Sequence, residues 1–189
     1  PPPVNNGQGA VVPGTGGNLP QYDPGSDGWK TEQWSADISA QLKEIFRLLL
    51  EGGDWQTAAR STCAADFKGV RMSLNGRSLS APGKEPVLID PPGGVIEFPV
   101  FSQAVSAILD RAGLAQGMQR AKAKVVGIGM KEDGRVSCEI LFHLAGRQGD
   151  KVRDLAGQWQ SLWVLQSGIP RLLSIEGEAH LTTSSMGRF

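Results

Sequence analysis

Apolar side chains recur along this chain at two periods, and the switch between them divides it. Trp34, Ile38, Leu42, Ile45, Phe46 and Leu49 fall at three- and four-residue steps, the spacing of one helical stripe, with Ser35 or Thr31 placed to cap it. Gly52-Gly53 ends that helix. Asp54 then stands where a cap is needed for a second helix, in which Trp55, Ala58, Ala59, Cys63 and Phe67 recur before Gly69. Phe101, Val105, Ile108, Leu109 and Leu114 predict a third, with Gly113 near its end. Between the second and third, Val70 to Leu74 and Val95 to Phe98 read as short strands joined by a long loop rich in Gly, Pro and Ser.

In the last third the period falls to two. Lys122 to Met130, Arg135 to Ala145, Lys151 to Gln166 and Arg171 to Thr183 read as four strands. They are separated by Glu132-Asp133-Gly134, Arg147-Gln148-Gly149-Asp150 and Ser167-Gly168, all turn-forming. Closing these turns as hairpins fixes a register, because a slip of one residue would turn every side chain over. One face collects Val136, Cys138, Ile140 and Phe142, then Leu155, Gly157, Trp159, Ser161 and Trp163, then Leu173, Ile175, Gly177, Ala179 and Leu181. This is the expected core face. The register places Trp159 between Cys138 and Gly177, a large indole beside small neighbours, and Gly127 and Gly129 opposite Ile140 and Cys138, where they would let the sheet bend.

The opposite face mixes apolar and polar groups: Ile128, Glu139, Leu141, His143, Ala156, Gln158, Glu178 and His180. Such a mixture suits a modest protein interface, so this face is the expected site of homodimerisation.

Composition narrows the class of protein. Nineteen basic and nineteen acidic side chains cancel, which removes the electrostatic attraction that nucleic acid and anionic membranes reward. No apolar run approaches the roughly 20 residues of a membrane-spanning helix. Residues 1–28 are Pro, Gly, Asn and Gln with little to bury, and read as a disordered leader ahead of one domain over 29–183, with a tail over 184–189. Cys63 and Cys138 lie among apolar neighbours and read as two buried thiols.

The order helix, helix, short strands, helix, four-stranded meander, with Ala64-Ala65-Asp66-Phe67-Lys68-Gly69 closing the second helix, resembles the nuclear transport factor 2-like (SnoaL-like) superfamily. The resemblance implies an α+β cone: three helices packed on a strongly bent antiparallel sheet, often with a pocket at the wide end. That superfamily holds isomerases, dehydratases and cyclases alongside non-enzymatic binding and assembly modules, so it leaves the activity open. Trp29-Lys30-Thr31-Glu32, the leader and Gln158-Trp159-Gln160 also resemble the N-terminal region of bacterial exported proteins that continue into FG-GAP and UnbV repeats. That second resemblance implies an accessory domain of an exported protein.

Enzymes of the superfamily place an acid, base or histidine inside the cone. Asp66 is the candidate here, with Arg71 to orient an anionic group and an isomerase, hydratase or cyclase as the reaction class. Against it stand the local hydrogen-bonding role common to an acid at a helix end and the absence of His, Asp or Glu from the expected core face. His143 and His180 fall on strands separated by a third, which argues against a zinc site needing three or four converging ligands. Pro13-Gly14-Thr15-Gly16-Gly17 lacks the flanking strand and helix of a phosphate loop, and Gly127-Ile128-Gly129 sits within a strand. Ser61, Ser137 and Ser161 have no histidine placed to activate them. No cofactor is expected. Phe67, Arg71, Cys138, Trp159, Ser161 and Trp163 would line the cone if it holds a small apolar ligand. The sequence thus favours a non-catalytic ligand-binding or assembly module.

Overall fold

A computed structural model describes residues 28–79 and 94–185, so the leader and the loop between the first two strands fall outside the described residues. Among these there are three helices and six strands: α1 (Gly28–Glu51), α2 (Trp55–Thr62), β1 (Val70–Leu79), β2 (Gly94–Phe98), α3 (Phe101–Ala112), β3 (Met118–Met130), β4 (Val136–Gln148), β5 (Lys151–Gln166) and β6 (Ile169–Ser185). The helices sit against one side of the curled sheet. This is the α+β cone implied by the resemblance. The described elements start at Gly28 and end at Ser185.

Two of the three expected glycine stops, Gly52 and Gly113, end their helices, whereas α2 ends well before Gly69. Gly52 takes a left-handed φ of 73° after α1, and Gly113 one of 64° after α3, where its N–H donates to the Asp110 and Leu109 carbonyls. Asp54 caps α2 by accepting from Thr57 N at 3.1 Å. Two helix boundaries differ. α1 begins ahead of both Thr31 and Ser35, and α2 ends at Thr62 rather than near Phe67. Past Thr62 the backbone donors find partners on β6 instead: Ala64 N donates to Leu172 O at 2.8 Å and Lys68 N to Leu173 O at 2.7 Å. The tertiary partner outcompetes the helix.

The strand order is β2-β1-β6-β5-β4-β3. All pairs are antiparallel except β1 with β6, which run parallel, so the expected antiparallel sheet is in fact mixed. β5 occupies the span read from the sequence, and Trp159 does face Gly177 on β6. Its neighbour on β4 is Ile140, however, because β4 continues to Gln148 and the hairpin turn is only Gly149-Asp150. That shift of two residues leaves every side chain on its expected face. On β3 the outcome differs. A three-residue turn closed by Lys131 and Arg135 puts Gly127 opposite Glu139 and Gly129 opposite Ser137, and a bulge at Val126 follows. Ile128 therefore pairs with Cys138 and packs against the core, which corrects its place in the outer face.

The core runs from Ile38, Leu42, Ile45 and Phe46 of α1, through Phe101, Val105, Ile108 and Leu109 of α3, to the inner face of β4, β5 and β6. At its centre Trp159 meets Phe142 at a ring-centroid distance of 4.4 Å, and Phe46 and Phe101 edge-on at 6.1 and 6.0 Å. Gly157 and Gly177 flank this cluster. A Cβ at either would collide with a backbone carbonyl of the neighbouring strand and with an aromatic ring.

Candidate functional site

The hollow of the cone is filled. Trp159 is 3% exposed and Trp163 is fully buried, and neither one, nor Phe67, Cys138 or Ser161, lines any of the four depressions described below. Of the residues expected at a pocket floor, Cys138, Trp159, Ser161 and Trp163 are buried and Phe67 is half-buried against the core, with Phe46, Phe101 and Phe142 around the Trp159 indole. Ser161 serves as a polar bridge: Trp163 Nε1 donates to its hydroxyl at 2.8 Å, and the hydroxyl donates to Cys138 O at 3.1 Å. Among the described residues the buried polar side chains are Thr62, Ser102, Ser161 and Thr183, with no Asp, Glu, His, Lys or Arg among them. Both cysteines are free, and burial pushes the thiol of Cys138 up to about 12 and that of Cys63 to about 11.

Asp66 lies exposed in the turn after α2, outside the hollow, and Arg71 points from the outer face of β1 to an exposed ion pair with Glu97 at 3.2 Å. The structure does not assemble the acid and its orienting cation into a site within the cone. Arg71 does line an open depression of about 540 Å³ with Lys68, Glu97 and Glu176. A smaller cavity of about 280 Å³ has mixed walls, with Leu49, Trp55, Leu109, Leu114 and Met118 beside Ser106 and Asp110, where the ends of α1 and α3 meet the start of β3. Beside it, a depression of about 560 Å³ is lined by Asp110, Gly113, Gln116 and Arg147. Arg153 packs behind Gly113, with a buried Nε that has no hydrogen-bond partner among the described residues. The sequence reading passed over Arg153, although carrying the alternation of β5 two residues back from Leu155 puts it on the core side.

The outer face of the sheet holds the remaining candidates together. Glu139, Leu141, His143, Ala156, Gln158, Glu178 and His180 are adjacent there, as the alternation predicts. His143 Nε2 lies 2.7 Å from Asp154 Oδ2, Gln158 Nε2 donates to Glu139 Oε1 at 2.9 Å, and His180 Nε2 lies 3.8 Å from Glu178. Leu141 and Val126 stand exposed among these polar groups. A shallow depression of about 370 Å³ over Gly177 is edged by Ser73, Gln158, Gln160, Glu176 and Glu178. No group of three or more His, Cys, Asp or Glu converges as a metal site among the described residues, and no described helix is long and apolar enough to cross a membrane.

No family model matches the chain, and no curated protein does either. Solved structures similar to it include an NTF-2 like protein of unknown function from Shewanella oneidensis, at 12% identity and a TM-score of 0.46 over 76% of this chain and 97% of that one. Another is a conserved protein from Planctomyces limnophilus, at 16% identity and a TM-score of 0.45 over 76% of this chain and 94% of that one. ActVI-ORFA from Streptomyces coelicolor aligns at 12% identity and a TM-score of 0.43, over 76% of this chain and 95% of that one. In element order, curled sheet and helices held in its hollow, the chain has the nuclear transport factor 2-like fold, an architecture that does not dictate an activity.

Proposed function

We propose that the domain is a non-catalytic binding and assembly module that pairs with a second copy of itself through the outer face of the sheet. The observation that carries this reading is the filled cone. General acid-base chemistry needs an ionisable side chain held against a substrate in a partly desolvated site. Here the interior is occupied by Trp159, Trp163 and the phenylalanines, and its fully buried polar side chains are hydroxyls, with Arg153 reaching only its edge beside Gly113. Chemistry-bearing groups are displaced to the outer face, where exposed Leu141 and Ala156 are interleaved with Glu, Gln and His in the manner of a modest interface.

Light scattering coupled to size-exclusion chromatography tests the reading. The chain should elute at twice its 20.1 kDa mass at micromolar concentration. Leu141→Glu, at an exposed position in the middle of the face, should convert it to monomer without lowering its melting temperature. A wild-type chain that stays monomeric at every concentration would overturn the proposed pairing.

A further inference from the structure

The outer face is segregated by charge, and we infer that this segregation fixes how two copies meet: about a two-fold axis that runs along the strands between β4 and β5. This inference rests on the pairing proposed above and adds its orientation.

Basic residues gather on β3. Arg120, Lys122 and Lys124 alternate with the inward-facing Ala121, Ala123 and Val125, and all three are exposed. The acids Glu176 and Glu178 are exposed on β6. Two strands lie between, so the opposed charges are about 14 Å apart at the usual strand spacing. The pairing partners define one row across the face: Lys124, Leu141, Gln158, Glu178. Other charges on the face are already engaged, with Asp154 on His143, Glu139 on Gln158 and Arg71 on Glu97, whereas Glu178 has only exposed His180 at 3.8 Å. Lys122, Lys124 and Glu176 make no ion pair among the described residues.

A half turn about an axis parallel to the strands, between β4 and β5, lays β3 of one copy over β6 of the other. Lys124 then comes over Glu178 of the partner subunit, with Lys122 beside it, and the same contact repeats on the far side of the axis because a two-fold interface is isologous. A half turn about an axis across the strands would instead set β3 over β3 and β6 over β6. Lysine would face lysine, and glutamate glutamate. Like charges placed together select against a geometry more strongly than matched charges add affinity to the right one. The face therefore accepts one orientation and rejects the other.

Charge reversal tests this on the full chain, with dissociation constants from sedimentation equilibrium and circular dichroism to confirm folding. Lys122→Glu with Lys124→Glu, and separately Glu176→Lys with Glu178→Lys, should each weaken the dimer about tenfold or more. All four substitutions together should restore it to within about threefold of wild type, and an equimolar mixture of the two doubly reversed chains should form heterodimers. A wild-type dimer that tolerates either reversal unchanged, or a quadruple variant as weak as its parents, would overturn the orientation while leaving the pairing intact. A monomeric wild type would remove both.

Discussion

The two faces of one sheet, separated by the thickness of a single strand, have taken opposite roles. The inner face of β4, β5 and β6 is aromatic, close-packed and without acids, bases or histidines among its buried residues. The outer face carries Glu139, His143, Gln158, Glu176, Glu178 and His180 on those same strands, with Leu141 exposed among them. Under the proposed reading the inner face is closed to a ligand and the outer face is where two copies meet. Trp159 and Trp163 fill the inner face, while Glu139, His143, Glu176 and Glu178 stand on the outer one. A fold therefore supplies two candidate surfaces, and the side chains decide which is open.

The comparison is broken most directly at Trp159. Replacing it with alanine removes an indole that three phenylalanine rings contact, so the loss of transfer energy is joined by that of a cavity the neighbours only partly refill. Urea denaturation should show Trp159→Ala destabilised by about 3–5 kcal/mol. A loss below about 1 kcal/mol would mean that the indole borders open space, and the inner face would again be a ligand site.

How far the sequence disclosed this division depends on the parity of each error. The turn Gly149-Asp150 was read two residues too long, which moved the partner of Trp159 from Ile140 to Cys138 but kept both on the inner face. On β3 the three-residue turn shifts the pairing by one, so Ile128 changes sides, and the bulge at Val126 then shifts the rest of the strand by one more and returns it to its expected face. Turn residues announce a hairpin, whereas a bulge has no comparable signature. The parallel contact of β1 with β6 was illegible for another reason: it joins strands about a hundred residues apart, and nothing local encodes it. The end of α2 was lost similarly, since the carbonyls of Leu172 and Leu173 that draw Ala64 and Lys68 away lie on β6. Of the site, the outer histidines and acids followed from alternation alone. The filling of the cone did not, because Phe46 and Phe101 reach Trp159 from helices whose docking the sequence leaves unstated.

Gly177 sharpens the comparison at a smaller scale, because it serves the inner face through its missing side chain. A Cβ there would run into the Gln158 carbonyl oxygen and stand 3.0 Å from the Trp159 ring. Gly177→Ala should thus cost about 1–3 kcal/mol in the same urea titration, as an overpacked core does. Gly129→Ala is the matched control, since a Cβ there meets only the Ser137 hydroxyl at 3.5 Å. Equal losses at the two positions would mean that the sheet can relax around Gly177, and that its bend does not depend on that glycine.

The smallest effect concerns Cys138, the titratable group that the inner face does bury. Burial disfavours its thiolate and raises its pKa from 9.0 to about 12, so the folded protein holds the proton after the unfolded chain has released it. Where the native state binds more protons, stability falls as pH rises. The loss therefore begins near pH 9, reaches roughly 1 kcal/mol by pH 10 and continues until the folded thiol itself ionises near 12. Cys63, raised to about 11, adds a slope of the same sign. Between pH 8 and pH 10 the urea midpoint of the wild type should drop, and Cys138→Ala should flatten that drop while lowering the midpoint at pH 8 through its lost packing. A slope unchanged by the substitution would show that the thiol is reached by water, and with it that the inner face is less closed than the packing around Trp159 implies.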